Sequence, residues 1–133
     1  MRYNVIYADP PWQYNARVNT KTKFGGGAMG HYPTMTLSRI KKLDIDSIAA
    51  ENCALFMWAT FPRLSEALEV IKAWGFEYKT LGFSWHKTNK TNDKLFFGIG
   101  SYTKSNCEVC LLATKGKVGI KGCETEKLLV KNH

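Results

Sequence analysis

"NVIYADPPW", Asn4 to Trp12, is the stretch whose reading decides the fold. Val5-Ile6-Tyr7-Ala8 is a good β former, but a strand cannot continue through Pro10 and Pro11, which carry no backbone N–H for a sheet ladder. The strand must stop at Asp9. Pro11 pushes Pro10 towards an extended conformation, so the Asp9 carboxylate and the Pro10 carbonyl are held in place beside the flat ring of Trp12. An edge strand closed by a proline turn, with Trp12 in the core, would use the same residues. In open α/β sheets, however, ligands bind just beyond the carboxyl ends of the strands, where Asp9 to Trp12 would lie.

The rest of the chain supplies the sheet. "CALFMWAT", Cys53 to Thr60, has little polar content, as expected of a strand in a sheet covered on both faces. Pro62 opens a helix in which Leu64, Ala67, Leu68, Ile71 and Trp74 recur at three- and four-residue steps, a stripe suited to core packing. Gly75 stops it. Strands over Tyr78–Trp85 and from Asn106 to Gly116 follow, and Thr36 caps a short helix to Leu43 with Ile40 and Leu43 facing inward. Strand and helix alternate, which indicates an α/β fold. The polar, glycine-rich stretch over 13–35 is long for a connection in a compact domain and reads as a flexible active-site loop. Gly25-Gly26-Gly27 lacks the Gly-Lys-Ser/Thr of a phosphate loop and suits a hinge.

Composition narrows the function. A chain of 133 residues with 44% hydrophobic content suits one folded domain, and no apolar run approaches the roughly 20 residues of a membrane span. Without a signal-peptide layout, a cytoplasmic protein is expected. The net charge of +8 points to an anionic partner, most simply nucleic acid. The lysines gather at Lys21–Lys23, Lys41–Lys42, Lys87–Lys94 and Lys115–Lys121, with Tyr32 and Trp85 near two of the clusters. Such clusters predict phosphate contact that weakens steeply with salt, although charge runs are also ordinary solvated faces. Cys107 and Cys110 form a C-x-x-C, but residues three apart on a strand point to opposite faces. Reduced thiols are expected there, and no metal.

The held acceptors suit one chemistry. The exocyclic amine of adenine is a poor nucleophile because its lone pair is delocalised into the ring. A carboxylate oxygen and a backbone carbonyl, one for each amine hydrogen, favour a pyramidal nitrogen with its lone pair aimed at a methyl donor. Asp9 and Pro10 offer these acceptors, and Trp12 offers a ring on which a base could stack.

With "DPPW" stand "HYPTMT" (His31–Thr36), "LFMWAT" (Leu55–Thr60), "AWGFEY" (Ala73–Tyr78), "WHKTNK" (Trp85–Lys90) and "YTKSNCEVCLLATKGK" (Tyr102–Lys117). In this order the motifs resemble the MT-A70 family of S-adenosylmethionine-dependent adenine methyltransferases. The resemblance implies a Rossmann-like methyltransferase sheet with flanking helices and methyl transfer to the adenine amino group in nucleic acid. Its compact form is similar to phage and bacterial members, which points to DNA before RNA. Carried over residue by residue, Asp9, Pro10, Pro11 and Trp12 are catalytic, and Asp9 and Pro10 also meet the cofactor. Tyr32 covers the reacting centre, while Lys87 and Glu108 lie near the base. A solvated lysine and a salt-bridged glutamate are the plainer readings of the last two, as core packing is for Trp58 and Trp85.

The family's later segments, a serine-arginine/lysine-proline-aspartate type, an E-L-F-A-R-like strand and a G-N-E or G-N-Q stretch, are not found here. The resemblance ends at Lys117, leaving 118–133 as a divergent tail and the domain partial. Weak cofactor binding and self-association through an uncovered sheet edge are the expected consequences. A subunit-like homologue that binds nucleic acid without catalysis is the alternative reading.

Overall fold

The computed structural model describes residues 1–13, 33–96, 98–99 and 102–119. Six strands and two helices run in the order β1 (Tyr3–Ala8), α1 (Leu37–Lys41), β2 (Ala49–Ala59), α2 (Leu64–Ala73), β3 (Glu77–His86), β4 (Gly98–Ile99), β5 (Lys104–Ser105) and β6 (Cys107–Lys115). A 3₁₀ turn, Phe61–Arg63, leads into α2 with a proline in its first positions. β4 and β5 form a separate two-stranded hairpin.

The main sheet has the order β1-β2-β6-β3. β1 runs parallel to β2, while β6 is antiparallel to both of its neighbours. β1, β2 and β3 therefore share one direction, and β6 is inserted against them. One edge of the sheet accordingly collects the carboxyl ends of β1, β2 and β3 together with the amino end of β6. This is an α/β sheet of the expected Rossmann-like kind, made mixed by its last strand.

Alternation along the strands separates two faces. Cys53, Leu55, Met57 and Ala59 of β2 and Val109, Leu111 and Ala113 of β6 point to the helices, where they join Ile40, Ala67, Val70, Ile71, Trp74 and Phe76 in one buried cluster. The α2 stripe is shifted from its expected position. Val70 is fully buried, whereas Leu68 lies at the flank and is exposed, because only one stripe of a ten-residue helix meets the sheet. Leu43 is likewise exposed, since α1 ends at Lys41 and the chain turns away before reaching it. The helix cap at Thr36 is as expected, its hydroxyl accepting from the Arg39 N–H at 3.3 Å.

Gly75 terminates α2 with φ +83°. Its N–H bonds to the Lys72 carbonyl and that of Phe76 to the Ile71 carbonyl, both at 3.0 Å, the double closure that a left-handed residue permits. The Trp74 indole N–H then reaches the Ile40 carbonyl at 2.9 Å and ties α2 to α1.

The opposite face departs from the expectation of a sheet covered on both sides. Val5, Tyr7 and Phe83 are exposed there among the described residues, with Phe83 stacked on Phe56 at 5.7 Å. No helix among the described residues is long and apolar enough to cross a membrane.

Candidate active site

β1 ends where the prolines demand, and the turn after it is locked by backbone bonds. The Trp12 N–H donates to the Pro10 carbonyl at 2.9 Å, and the Met35 N–H donates to the Pro11 carbonyl at 2.9 Å. Trp12 and Met35 form an isolated parallel bridge, so the two flanks of residues 14–32 are joined at the site. Tyr32, and nearly all of the 13–35 loop, lies outside the described residues. The Pro10 carbonyl retains a second lone pair for another donor, since a carbonyl oxygen accepts two.

Trp12 is not the open platform that its position suggested. It is only 6% exposed, sits in the helix-side core and donates its indole N–H to the Trp58 carbonyl at 3.2 Å. The physical reason lies in the turn, which directs the ring back under the sheet end, where the core reading had placed it. That indole bond fastens the turn to β2.

Trp58 and Trp85 are both half-buried on the second face. They meet edge to face, with centroids 6.4 Å apart and planes at 75°. The Trp58 indole N–H donates to the Tyr7 hydroxyl.

A cleft of about 530 Å³ opens at this sheet end, lined by Asp9, Pro10, Pro11, Trp12, Pro33, Thr34, Trp58, Ala59, Thr60 and Glu108. Its volume lies in the range of small-ligand pockets. Pro10 is buried in the wall, while Asp9 faces the opening. The Asp9 carboxyl is raised above its ordinary value of 3.8, first because the cleft partly withdraws it from water and then because Glu108 is near. Beneath them Cys110 is fully buried, and burial, with a smaller contribution from Asp9, pushes its thiol up to about 11. A thiol at that value stays protonated and inert.

Glu108 and Lys87 are brought together. Their charged ends are 3.2 Å apart, and Lys87 Nζ also lies 4.9 Å from the centroid of the Trp85 ring. Glu108 is thus both salt-bridged and at the cleft wall. The pairing arises because β6 lies beside β3, which sets Glu108 opposite Trp85 in the register. The side-chain oxygen of Asn106 accepts the Lys87 backbone N–H at 2.7 Å and holds the start of the basic segment.

Thr60 was not singled out by the sequence. Its hydroxyl oxygen is buried in the cleft wall without a hydrogen-bond partner among the described residues, an arrangement that costs free energy unless a ligand completes it. A threonine directly after a buried strand and before a proline-led turn was the available signal.

The family model described as MT-A70 matches residues 3–130. The chain belongs to the MT-A70 family. The match extends past Lys117, where the motif resemblance ended, into the stretch read from sequence as divergent. The chain is 35% identical over 146 aligned residues to the Type II methyltransferase M.MunI of Mycoplasma sp, covering 99% of this chain and 60% of that protein. It is 26% identical over 116 residues to the human N(6)-adenosine-methyltransferase catalytic subunit METTL3, covering 86% of this chain and 18% of METTL3. A probable N(6)-adenosine-methyltransferase, MT-A70-like, of rice is 24% identical over 116 residues. The chain spans about three fifths of the Mycoplasma relative's length and less than a fifth of METTL3. As an MT-A70 chain it is a member of an adenine N6 methyltransferase family, and the DPPW residues with Glu108 form the cleft just described.

Proposed function

We propose that this protein transfers a methyl group from S-adenosylmethionine to the exocyclic amine of adenine in nucleic acid, with the chemistry centred on Asp9 and Pro10. The observation that carries the reading is the placing of the Asp9 carboxylate and the buried Pro10 at the carboxyl edge of the sheet, in one cleft with Trp58 and Glu108.

The cofactor fits the residues present. The unpartnered Thr60 hydroxyl calls for a polar ligand group, and two carboxylates, Asp9 and Glu108, suit a ligand that carries positive charge. Asp9 and Pro10 are the residues proposed to meet it. When bound, S-adenosylmethionine supplies an electrophilic methyl on a sulfonium sulfur, which is left as a neutral thioether.

Asp9 accepts one amine hydrogen and the free lone pair of the Pro10 carbonyl accepts the other, which draws the amine's lone pair out of conjugation. The nitrogen that has gained a methyl must lose a proton, and Asp9, whose raised pKa makes it a better base than an ordinary aspartate, takes it. Trp58, rather than the buried Trp12, provides the aromatic wall against which the base lies. Pro11 and Trp12 keep the turn in register. Lys87 orients Glu108 and neutralises part of its charge.

DNA is proposed ahead of RNA as the carrier. The likeness to the Type II methyltransferase is higher and covers more of both chains than the likeness to the adenosine methyltransferases. Any self-association is proposed to run through β1 or β3, the edge strands of the main sheet.

The test is a tritiated-methyl transfer assay on adenine-containing single- and double-stranded DNA and RNA, with wild type and Asp9→Ala. The substitution should lower the rate by about 10²–10³-fold or more, the size seen when one preorganised polar group is removed from a transition state. Near-wild-type turnover by Asp9→Ala would refute the assignment. A wild type that binds nucleic acid but transfers no methyl would leave the subunit-like reading in its place.

A further inference from the structure

Beside the catalytic cleft lies a second, more open groove of about 560 Å³, lined by Trp85, Lys87, Thr88, Asn89, Lys90 and Phe96. Paired side chains stand between the two. Glu108 faces the cleft and Lys87 the groove, with 3.2 Å between their charged ends, and Trp58 of the cleft touches Trp85 of the groove edge to face. We propose that this groove holds the nucleotide next to the target adenine in the nucleic-acid chain, with its base on Phe96 and its phosphate on Lys90. The proposal rests on the reading above and assigns a separate site to the substrate's neighbour.

The argument begins with the local fold. The Phe96 N–H donates to the Lys87 carbonyl at 2.9 Å, and the Asn89 N–H to the Lys94 carbonyl at 2.9 Å, so the segment after β3 folds back on itself as a short, pinned turn. Thr88 and Leu95 form a bridge at its base. The turn therefore presents Phe96 at a defined place, with 47% of its surface exposed although it is a large apolar ring. An aromatic ring held open to solvent by a backbone hydrogen bond makes a stacking surface, and one base on such a ring changes affinity appreciably whatever its identity.

Charge selects the occupant. Lys87 is committed to Glu108 and to the Trp85 ring, which leaves Lys90, exposed at the groove, as the cation placed for a phosphate. Thr88 and Asn89 add hydroxyl and amide groups suited to a sugar or a base edge. An apolar peptide has no use for this cation, and a lone metabolite would not need the groove to adjoin the cleft. A nucleotide joined by one phosphodiester to a base in the cleft accounts for the ring, the cation and the shared wall together.

The experiment compares the binding of deoxyadenosine monophosphate with that of the dinucleotides d(TpA) and d(ApT), read by quenching of tryptophan fluorescence on the full chain. Wild type should bind one of the dinucleotides about 5- to 150-fold more tightly than the mononucleotide, the gain expected from stacking one base. Phe96→Ala should abolish that gain and leave mononucleotide affinity unchanged, while Phe96→Tyr preserves it. Lys90→Gln should reduce the salt slope of dinucleotide binding by about one phosphate contact. Thermal melting identifies any variant that fails to fold, and Phe96→Tyr then carries the comparison. Equal binding of mononucleotide and dinucleotides by wild type, or a gain that survives Phe96→Ala, would overturn the subsite and leave the catalytic reading intact. Failure to bind any of the three overturns both.

Discussion

The two faces of the main sheet are built from the same strands and put to opposite uses. Towards the helices, alternate residues of β2 and β6 are small or aliphatic, and Leu55, Met57 and Ile71 lie almost wholly out of solvent. Towards the other side, the intervening residues include Tyr7, Phe56, Trp58 and Glu108, with Asp9 just past the strand end, beside smaller apolar residues such as Ala54 and Leu112. The first face is sealed and supplies stability. The second is half open and carries the proposed chemistry, because a carboxylate that is to accept a proton and a ring that is to receive a base cannot be buried in a finished core. One residue of strand register thus separates a structural position from one proposed to be functional.

Substitutions at paired positions test this division. Leu55→Ala, on the sealed face, should destabilise the protein by about 2–5 kcal/mol in urea unfolding, the usual cost of an emptied core site. Activity per folded molecule should not change. Phe83→Ala, on the open face, loses an exposed ring and one stacking contact and should cost about 0.5–1.5 kcal/mol. Equal losses from the two would break the comparison, since they would mean that the second face is as well covered in solution as the first.

A smaller effect, of the opposite sign, is expected at Asp9. Its folded pKa lies above its ordinary value, so between the two the native state holds more protons than the unfolded chain, and stability falls as pH rises through that window. The penalty is fully present above the raised value. Asp9→Asn should therefore melt at the same temperature as wild type or slightly higher at pH 7, and at no higher temperature well below pH 3.8. A clear drop in melting temperature at pH 7 would show that the carboxylate supports the fold.

Glu108→Gln gives the finest test. Asp9 must be ionised to accept from the amine, so the rate should be lost as pH falls through its raised pKa. Removing the Glu108 charge takes away the lesser of the two causes of that rise and should move the acid limb of the pH–rate profile to lower pH. An unmoved limb would separate Glu108 from Asp9.

Much of this was legible without coordinates. The prolines stop β1 at Asp9 because they cannot donate to a ladder, and Gly75 ends α2 because a left-handed residue closes both terminal carbonyls. These are local rules, and the residues that obey them are adjacent in the chain. The DPPW turn could be read as a site for the same reason.

The partners of that turn could not. Glu108 reaches Asp9, and brings Lys87 and Trp85 beside it, only because β6 inserts between β2 and β3 rather than adding at an edge, and no residue within β6 encodes its neighbours. Trp12 looked equally able to stack a base or fill the core until the turn's hydrogen bonds set the direction of its ring. The sequence by itself determined where strands end, which helix stripe is apolar and which carboxylate stands at a strand terminus, all consequences of backbone stereochemistry and periodicity. Which aromatic ring is open, which lysine is already paired and which threonine lacks a partner among the described residues were decided by tertiary structure, because burial and pairing depend on segments that meet only when the sheet is assembled.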